Sequence, residues 1–441
     1  MLNKIVDALK TRKDITAWTV RHITSRGAQV YAVPTQIESQ RTVDSESYKI
    51  DVLCNTTGPD GSPATGSGDI TLLPDDDIHA GIDKAALVTS LVANSPHSIP
   101  KPAPLPEVSL IDRDLKENAL AVMKELMDNI RSTVSKNHGV NLTAAECFGD
   151  IQTTYLVNSN GIDAEQESTS VAMEFVLKAQ KNEHETESFI EMTRRRMADL
   201  DPETELERRA SYTLDLLDAQ AAPAWQGAVV LRNDTLATFM AGASLTAGVL
   251  QTRGSAEAKY AKLSSWEIGK SVFPGEVKGD PLTIWANRCI PYGTLSDRFD
   301  KEGVPAQRVE FIRENKLVTF SASQRYAEYL DIPVTGAFGG VELPPGRTHA
   351  SDLLVEPYIE IIQFSWFNPD PITGDFASEI RLGYLVENGM RKTFKGGQLI
   401  GNYMEALADI RWSAETGFFG NYLGPHTARF NDLKVSGEVA D

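Results

Sequence analysis

Cysteine is scarce in this chain of 441 residues: Cys54, Cys147 and Cys289 are far apart and odd in number. That spacing excludes a disulfide framework and any CxxC metal or redox motif, and leaves reduced thiols as the default. Long apolar runs are missing as well. No stretch approaches the roughly 18 apolar residues that suggest a membrane-spanning helix, and the opening MLNKIVDALKTRKDITAW breaks into charge before any run of signal-peptide length. A soluble, cytoplasmic protein without a membrane partner is expected. Positive charge is also short, with 43 Lys and Arg against 61 Asp and Glu, a formal net charge of −18. Such a chain would have to neutralise phosphates from a minority of its charges, so no direct nucleic-acid partner is expected. The densest basic run, Arg194, Arg195 and Arg196, sits among Glu185, Glu187, Glu191, Asp199 and Asp201 and reads as a solvated helix face.

What is present is ordinary globular material, 41% hydrophobic and 24% charged. Leu2, Ile5, Val6 and Leu9 recur at helical spacing, after which 16–33 and 48–53 read as strands. The glycines and prolines of 55–69 read as a hairpin or loop. Asp75, Asp76 and Asp77 precede a helix with the stripe Ile78, Ile82, Ala86 and Leu91. The Pro-rich SPHSIPKPAPLP that follows reads as an extended surface connector. Next, Leu115, Ala119, Val122, Leu126, Ile130 and Val134 define a long amphipathic helix over one face of a sheet. The runs 148–157 and 170–177, around the turn-forming NSNG, read as paired antiparallel strands, and Asp201-Pro202 opens another helix. AQAAPAWQG at 219–227 marks the expected domain boundary, dividing an N-terminal α+β domain (1–221) from a β-rich C-terminal domain (222–441).

The sequence contains no legible catalytic set. His184-Glu185 begins an HE pair, but Ser188 and Phe189 stand where a second imidazole would have to close HExxH or HExxxH. The remaining histidines, His22, His79, His97, His138, His349 and His426, are isolated. GASLT at 242–246 lacks the closing Gly of GxSxG, so Ser244 reads as a packing residue; Cys289 has no His partner in sequence and reads as a buried, inert thiol. The glycines of TGAFGGVELPPG at 335–346 lack the strand-to-helix setting of a phosphate cradle and read as a tight loop. EGVPAQR and VENGM place Gly where hairpins need positive φ.

Several segments, in their order and spacing, carry a family resemblance: SWEIGKSVFPGEVKGDPLTI (265–284), the stretch 297–339 from DRFDKEGVPAQR to TGAFG, PITGDFASEIRLGYLVENGM (371–390), IGN (400–402) and GNYLGPHTARFNDLKVSG (420–437). Together they resemble the TldD/PmbA family, long labelled modulators of DNA gyrase and related to metallopeptidases. VNSNGIDAEQESTSVAMEFVL (157–177) resembles the family's N-terminal-domain hairpin more weakly. The resemblance implies a two-domain α+β fold. It also places the family's HExxxH helix on 234–249, where this chain has no His, Glu or Cys, and no Cys follows Cys289 to replace the C-terminal ligand of TldD-like chains. The implied protein is therefore a PmbA-like (TldE-like) subunit of a peptide-processing assembly, without catalytic residues, metal ligands or cofactor of its own and with unidentified substrate-binding residues. Its expected partners are a second copy or a TldD-like catalytic subunit, with a peptide or unfolded protein as substrate. Two alternatives stand beside it: an autonomous peptidase using scattered ligands such as His349 or His426, and a protein-binding modulator of gyrase. The aromatics Phe364, Trp366, Phe367, Phe418 and Phe419 either fill the core of the second domain or supply a dimer interface.

Overall fold

The structure, a computed structural model, describes residues 1–33, 36–137, 139–242 and 248–437. Its first half is one antiparallel sheet with helices on a single face. Helix α1 (Leu2–Thr11) leads into β1 (Ile15–Val33), β2 (Gln36–Thr57) and β3 (Pro63–Leu72), then α2 (Ile78–Thr89) and α3 (Arg113–Lys136). The half closes with β4 (Val140–Asn158), β5 (Asp163–Lys181), β6 (His184–Arg194) and α4 (Pro202–Asp215). The strand order is β3-β2-β1-β4-β5-β6. Because side chains alternate along a strand, Trp18, Val20, Ala28 and Val30 of β1 point the same way. The first two pack under α1 and α2, and the others under α3 and α4. Towards the end of β4 the alternation changes sides: Leu156 is buried on the opposite face, against Ile162, Ala164 and Phe299 of the second half.

The 148–157/170–177 pairing and the Pro202 helix start form as read, with longer strands, whereas the long helix is broken at Asn118 (φ −152°, ψ 74°) and buries Met123, Met127 and Thr133 while Ala119 and Val122 are only half-buried. Asp77 caps α2 as its acidic approach suggests, but the buried stripe differs. Leu91 lies past the helix end and is 79% exposed, Ala86 is half-buried, and Gly81, Ile82, Ala85 and Thr89 face inward. The cause lies in β3. Gly66 and Gly68, read as turn punctuation, are strand residues, and a Cβ on them would stand 2.1 Å from the Thr89 carbonyl oxygen and 2.3 Å from that of Ala85. Helix backbone therefore lies directly on strand backbone, and this contact selects the helix face.

The basic run is also corrected: Arg194, Arg195 and Arg196 are not a solvated helix face. Ile190, Met192 and Arg194 alternate inward at the end of β6, and Arg195 is 8% exposed.

The second half contains β7 (Gln220–Ala221), β8 (Trp225–Arg232), α5 (Asn233–Ala241), α6 (Val249–Arg253), α7 (Ala256–Tyr260), β9 (Ile284–Asn287), β10 (Arg308–Arg313), β11 (Lys316–Leu317) and α8 (Gln324–Leu330). It continues through β12 (Gly340–Glu342), β13 (Tyr358–Phe364), β14 (Asp375–Glu387), β15 (Met390–Lys395), β16 (Gln398–Asn402), α9 (Tyr403–Ala408), β17 (Ile410–Trp412), β18 (Thr416–Phe419), β19 (Tyr422–Pro425) and β20 (Thr427–Ser436). One sheet runs β13-β8-β20-β16-β14-β15-β7, and the pairing of β13 with β14 closes five of its strands into a ring. The other runs β11-β10-β9-β12-β19-β18. Asn388 and Gly389, at φ 53° and 70°, make the tight β14–β15 turn expected from VENGM. Between the halves, the Pro-rich segment runs without helix or strand, fixed by Asn158 Nδ2 donating to the Pro100 carbonyl at 2.9 Å and by Arg298 Nε donating to that of Pro106 at 3.2 Å.

Candidate functional site

Helix α5 leaves β8 at Asn233, whose N–H donates to the His426 carbonyl at 2.8 Å. Leu236, Ala237, Phe239, Met240 and Ala241 are all buried, so most of the helix surface is committed to packing. The Phe239 ring stacks on Tyr403 at 4.8 Å and tilts against Phe430 at 4.9 Å and Phe367 at 5.0 Å. Beyond its C-terminal end opens a cavity of about 580 Å³, lined mainly by Phe239, Met240, Val249, Leu250, Phe367 and Tyr403. Asp370 also lines it, but its carboxylate accepts the N–H groups of Ile372 at 2.9 Å and Thr373 at 2.6 Å, bonds that hold its pKa below the usual range. An apolar side chain of a ligand would be desolvated here; among the described residues of the lining, none offers an imidazole or a thiolate. Beside the helix, β18 forms a sheet edge that, among the described residues, pairs only with β19, and it packs against α5.

The one carboxylate on α5, Asp234, is paired with Arg194 at 2.6 Å and lies 3.8 Å from Arg208. The zinc site that the resemblance implies for TldD-like chains therefore does not fit this helix, whose donor set lacks nitrogen and sulfur ligands. Elsewhere the histidines stay apart. His22 Nε2 meets Glu46 at 2.8 Å, His97 bonds the Ser95 carbonyl, and His184 and Glu185 are exposed at the start of β6. His349 Nδ1 lies 3.1 Å from Glu415, whose pKa is held down at about 2 by that contact and by backbone N–H donors. His426 donates its backbone N–H to the Glu415 carbonyl, but its ring turns to Thr427 at 2.8 Å. Among the described residues, no three His, Cys, Asp or Glu side chains gather as a metal site would require. Ser244 and His138 lie outside the described residues. Cys289 is half-buried rather than buried, and desolvation pushes its thiol up.

Sequence reasoning missed the polar seam between the halves. Arg195 donates to the carbonyls of Gly293, Thr294 and Ser296 at 2.9 Å each and to that of Thr169 at 3.3 Å. Burial lowers its pKa to about 10. Nearby, Asp297 pairs with Arg288 at 2.7 Å, yet burial outweighs the pairing and pushes it up to about 6. The stretch 335–346, read as a tight loop, is one only in part, since Gly340–Glu342 form β12; just before it, a Cβ on Gly339 would stand 2.3 Å from Arg288 Cγ. A second cavity in this seam, of about 630 Å³, is lined by Arg21, Asp51, His97, Glu302 and Arg325 among others, with Glu302 pushed up by burial.

Residues 104–215 match the model of the PmbA/TldA metallopeptidase central domain, and residues 228–437 that of the PmbA/TldA metallopeptidase C-terminal domain. An uncharacterized protein of Methanocaldococcus jannaschii is 26% identical over 279 residues, and the chain spans 60% of that relative's length, with 58% of its own. TldE from Thermococcus kodakarensis superposes with a TM-score of 0.78 at 18% identity, over 99% of this chain and 100% of that one. A Thermotoga maritima protein named as a candidate modulator of a DNA gyrase gives 0.79 at 18% identity, with the same coverage.

Proposed function

From the premise that this chain belongs to the PmbA/TldD family of metallopeptidase-related proteins, we propose that it is a PmbA-like (TldE-like) subunit of a peptide-processing assembly. In this reading it shapes a site and holds substrate, while a TldD-like partner supplies the metal. The observation that carries the reading is α5. Where the resemblance puts a metal-binding helix, this chain turns Leu236, Phe239 and Met240 into the core and leaves an apolar cavity at the helix end. The likeness to a protein named TldE supports the same side of the family.

Such a subunit contributes by binding. A sheet edge recognises an extended peptide through backbone hydrogen bonds, which tolerates many sequences, while a neighbouring pocket takes one side chain. β18 beside α5 supplies an edge, and the cavity lined by Phe239, Phe367 and Tyr403 supplies the pocket. Light scattering of the purified chain, alone and co-expressed with a TldD-like chain carrying HExxxH, tests the assembly. A dimer mass in at least one experiment is expected; a mass near 48 kDa in both contradicts the proposal.

A further inference from the structure

The first sheet carries its helices on one face, and the residues of the other face, from Gln152 to Ala144 along β4 and from Ser168 to Val176 along β5, are half-buried or exposed. Register decides what stands there. Asp150 faces Ser170 across the ladder; four residues along, Glu146 faces Glu174, and Glu174 faces Glu191 of β6. Like charges directly opposite one another weaken a sheet, so this row does not serve the fold. The crowding registers on Glu174, whose pKa is raised by burial first and then by Glu191 and Glu146. Among the described residues, none of these four carboxylates has a hydrogen-bond or ion-pair partner. Lys178 pairs with Glu185 at 2.7 Å, and Arg41 donates to Gln29 at 2.6 Å and to the Tyr31 hydroxyl at 3.0 Å, so these two cations are engaged elsewhere.

Asp150 also lines a polar cavity of about 630 Å³ between the halves, together with Ser25, Gln152, Ser168 and Ser170 of the sheet and Asp297 of the second half. Its carboxylate is half-buried there and is pushed up by desolvation, with no cation to hold it down. The hydroxyls of Ser25, Ser168 and Ser170 have no partner among the described residues either. Arg195 lies in the same lining but donates to carbonyl oxygens, and Asp297 is answered by Arg288. In the row between Asp150 and Glu146, Phe148 meets Tyr31 edge to face at 5.9 Å. Such rings cover the apolar stem of a Lys or Arg and attract its charge. Same-face positions along a strand are about 6.6 Å apart, which puts Asp150 and the glutamate row roughly 13 Å apart, the span of four residues of an extended chain.

We propose that this sheet face docks an extended basic polypeptide segment, with one Lys or Arg at Asp150 and another, four residues on, at the row of Glu146, Glu174 and Glu191. Charge complementarity selects the occupant. The two rings select a polypeptide over a metal ion, which has no stem to lay on them. The inference goes beyond the helper reading and does not depend on it: it concerns the first sheet, not the β18 edge, and needs no partner chain.

Fluorescence anisotropy tests the face: a short labelled peptide with Lys at every fourth position and Ser between is titrated with the whole purified chain at low ionic strength. Saturable binding that weakens with added salt is expected, and no binding of the same peptide with Glu in place of Lys. Affinity should fall about threefold in Asp150→Asn and about tenfold in the double variant Glu174→Gln, Glu191→Gln. A control that removes as much charge at exposed positions elsewhere, Glu117→Gln with Glu267→Gln, should leave affinity within about twofold. Because Glu174→Gln relieves a like-charge contact, the glutamate double variant should melt no lower than the wild type. Absence of saturable binding, a lower melting temperature of that variant, or binding unchanged in Asp150→Asn or in the glutamate double variant would overturn the proposal. So would equal losses in the double variant and the control, which mark attraction to net charge alone.

Discussion

Arg195 shows how much one side chain can hold. Its guanidinium ties the loop at 293–296 to the Thr169 region of β5, using carbonyl oxygens in place of a direct carboxylate partner. Hydrogen bonds to a charged group contribute about 1.5–3 kcal/mol, so Arg195→Ala should cost on the order of 3 kcal/mol in urea unfolding; a loss below about 1 kcal/mol would contradict this role. Asp297 gives a pH signature. Its folded pKa, about 6, lies above that of an unfolded Asp, so its contribution is fully present below about pH 4 and is lost as pH rises through about 6. The stability of the wild type relative to Asp297→Asn should accordingly fall between pH 4 and 7, by about 2 kcal/mol or less, and a rise would refute the assignment. Neither residue could be picked out from the sequence. The partners of Arg195 include carbonyls about a hundred positions downstream, which charge counting along the chain cannot see. The absence of ligands on 234–249 was legible, but the cavity beside them was not, since Phe367 and Tyr403 reach it from distant segments.

Helices and hairpins were read best where local chemistry decides them. Asp112 caps α3 by accepting the N–H groups of Asp114 and Leu115, and its second oxygen accepts that of Met197 at 2.8 Å. Asp77 caps α2 by accepting the N–H of Ala80 at 3.0 Å, with no such tie to a distant segment among the described residues. Loss of a cap costs about 1 kcal/mol, so Asp77→Ala should cost about that and Asp112→Ala clearly more, because it also releases the segment after β6. Equal losses in thermal or urea unfolding would contradict the added tie. The amphipathic pattern of α3 and the NSNG and VENGM turns need only neighbours in sequence, which explains why they were legible. The inward face of α2 was not, because Gly66 and Gly68 set it from a different element. The buried end of β6 was hidden for a similar reason: alternation through Ile190 and Met192 was present, but three arginines in a row masked it.

For the whole molecule, a net charge of −18 and the division of labour proposed within the family decide what to expect. Duplex DNA should not bind at nanomolar protein in physiological salt, and a salt-sensitive mobility shift in that range would contradict this. Phe364 and Phe367 are core residues, whereas Trp366 is 51% exposed and Phe418 and Phe419 are half-buried, so of these aromatics only the latter three are open to a partner. We propose that this chain holds peptide substrate beside a metal-bearing partner and brings no metal site of its own. Elemental analysis of the purified, dialysed chain tests it most directly. A zinc content near zero per chain is expected; a ratio near one, abolished by His349→Ala or His426→Ala, would contradict the account and favour an autonomous peptidase.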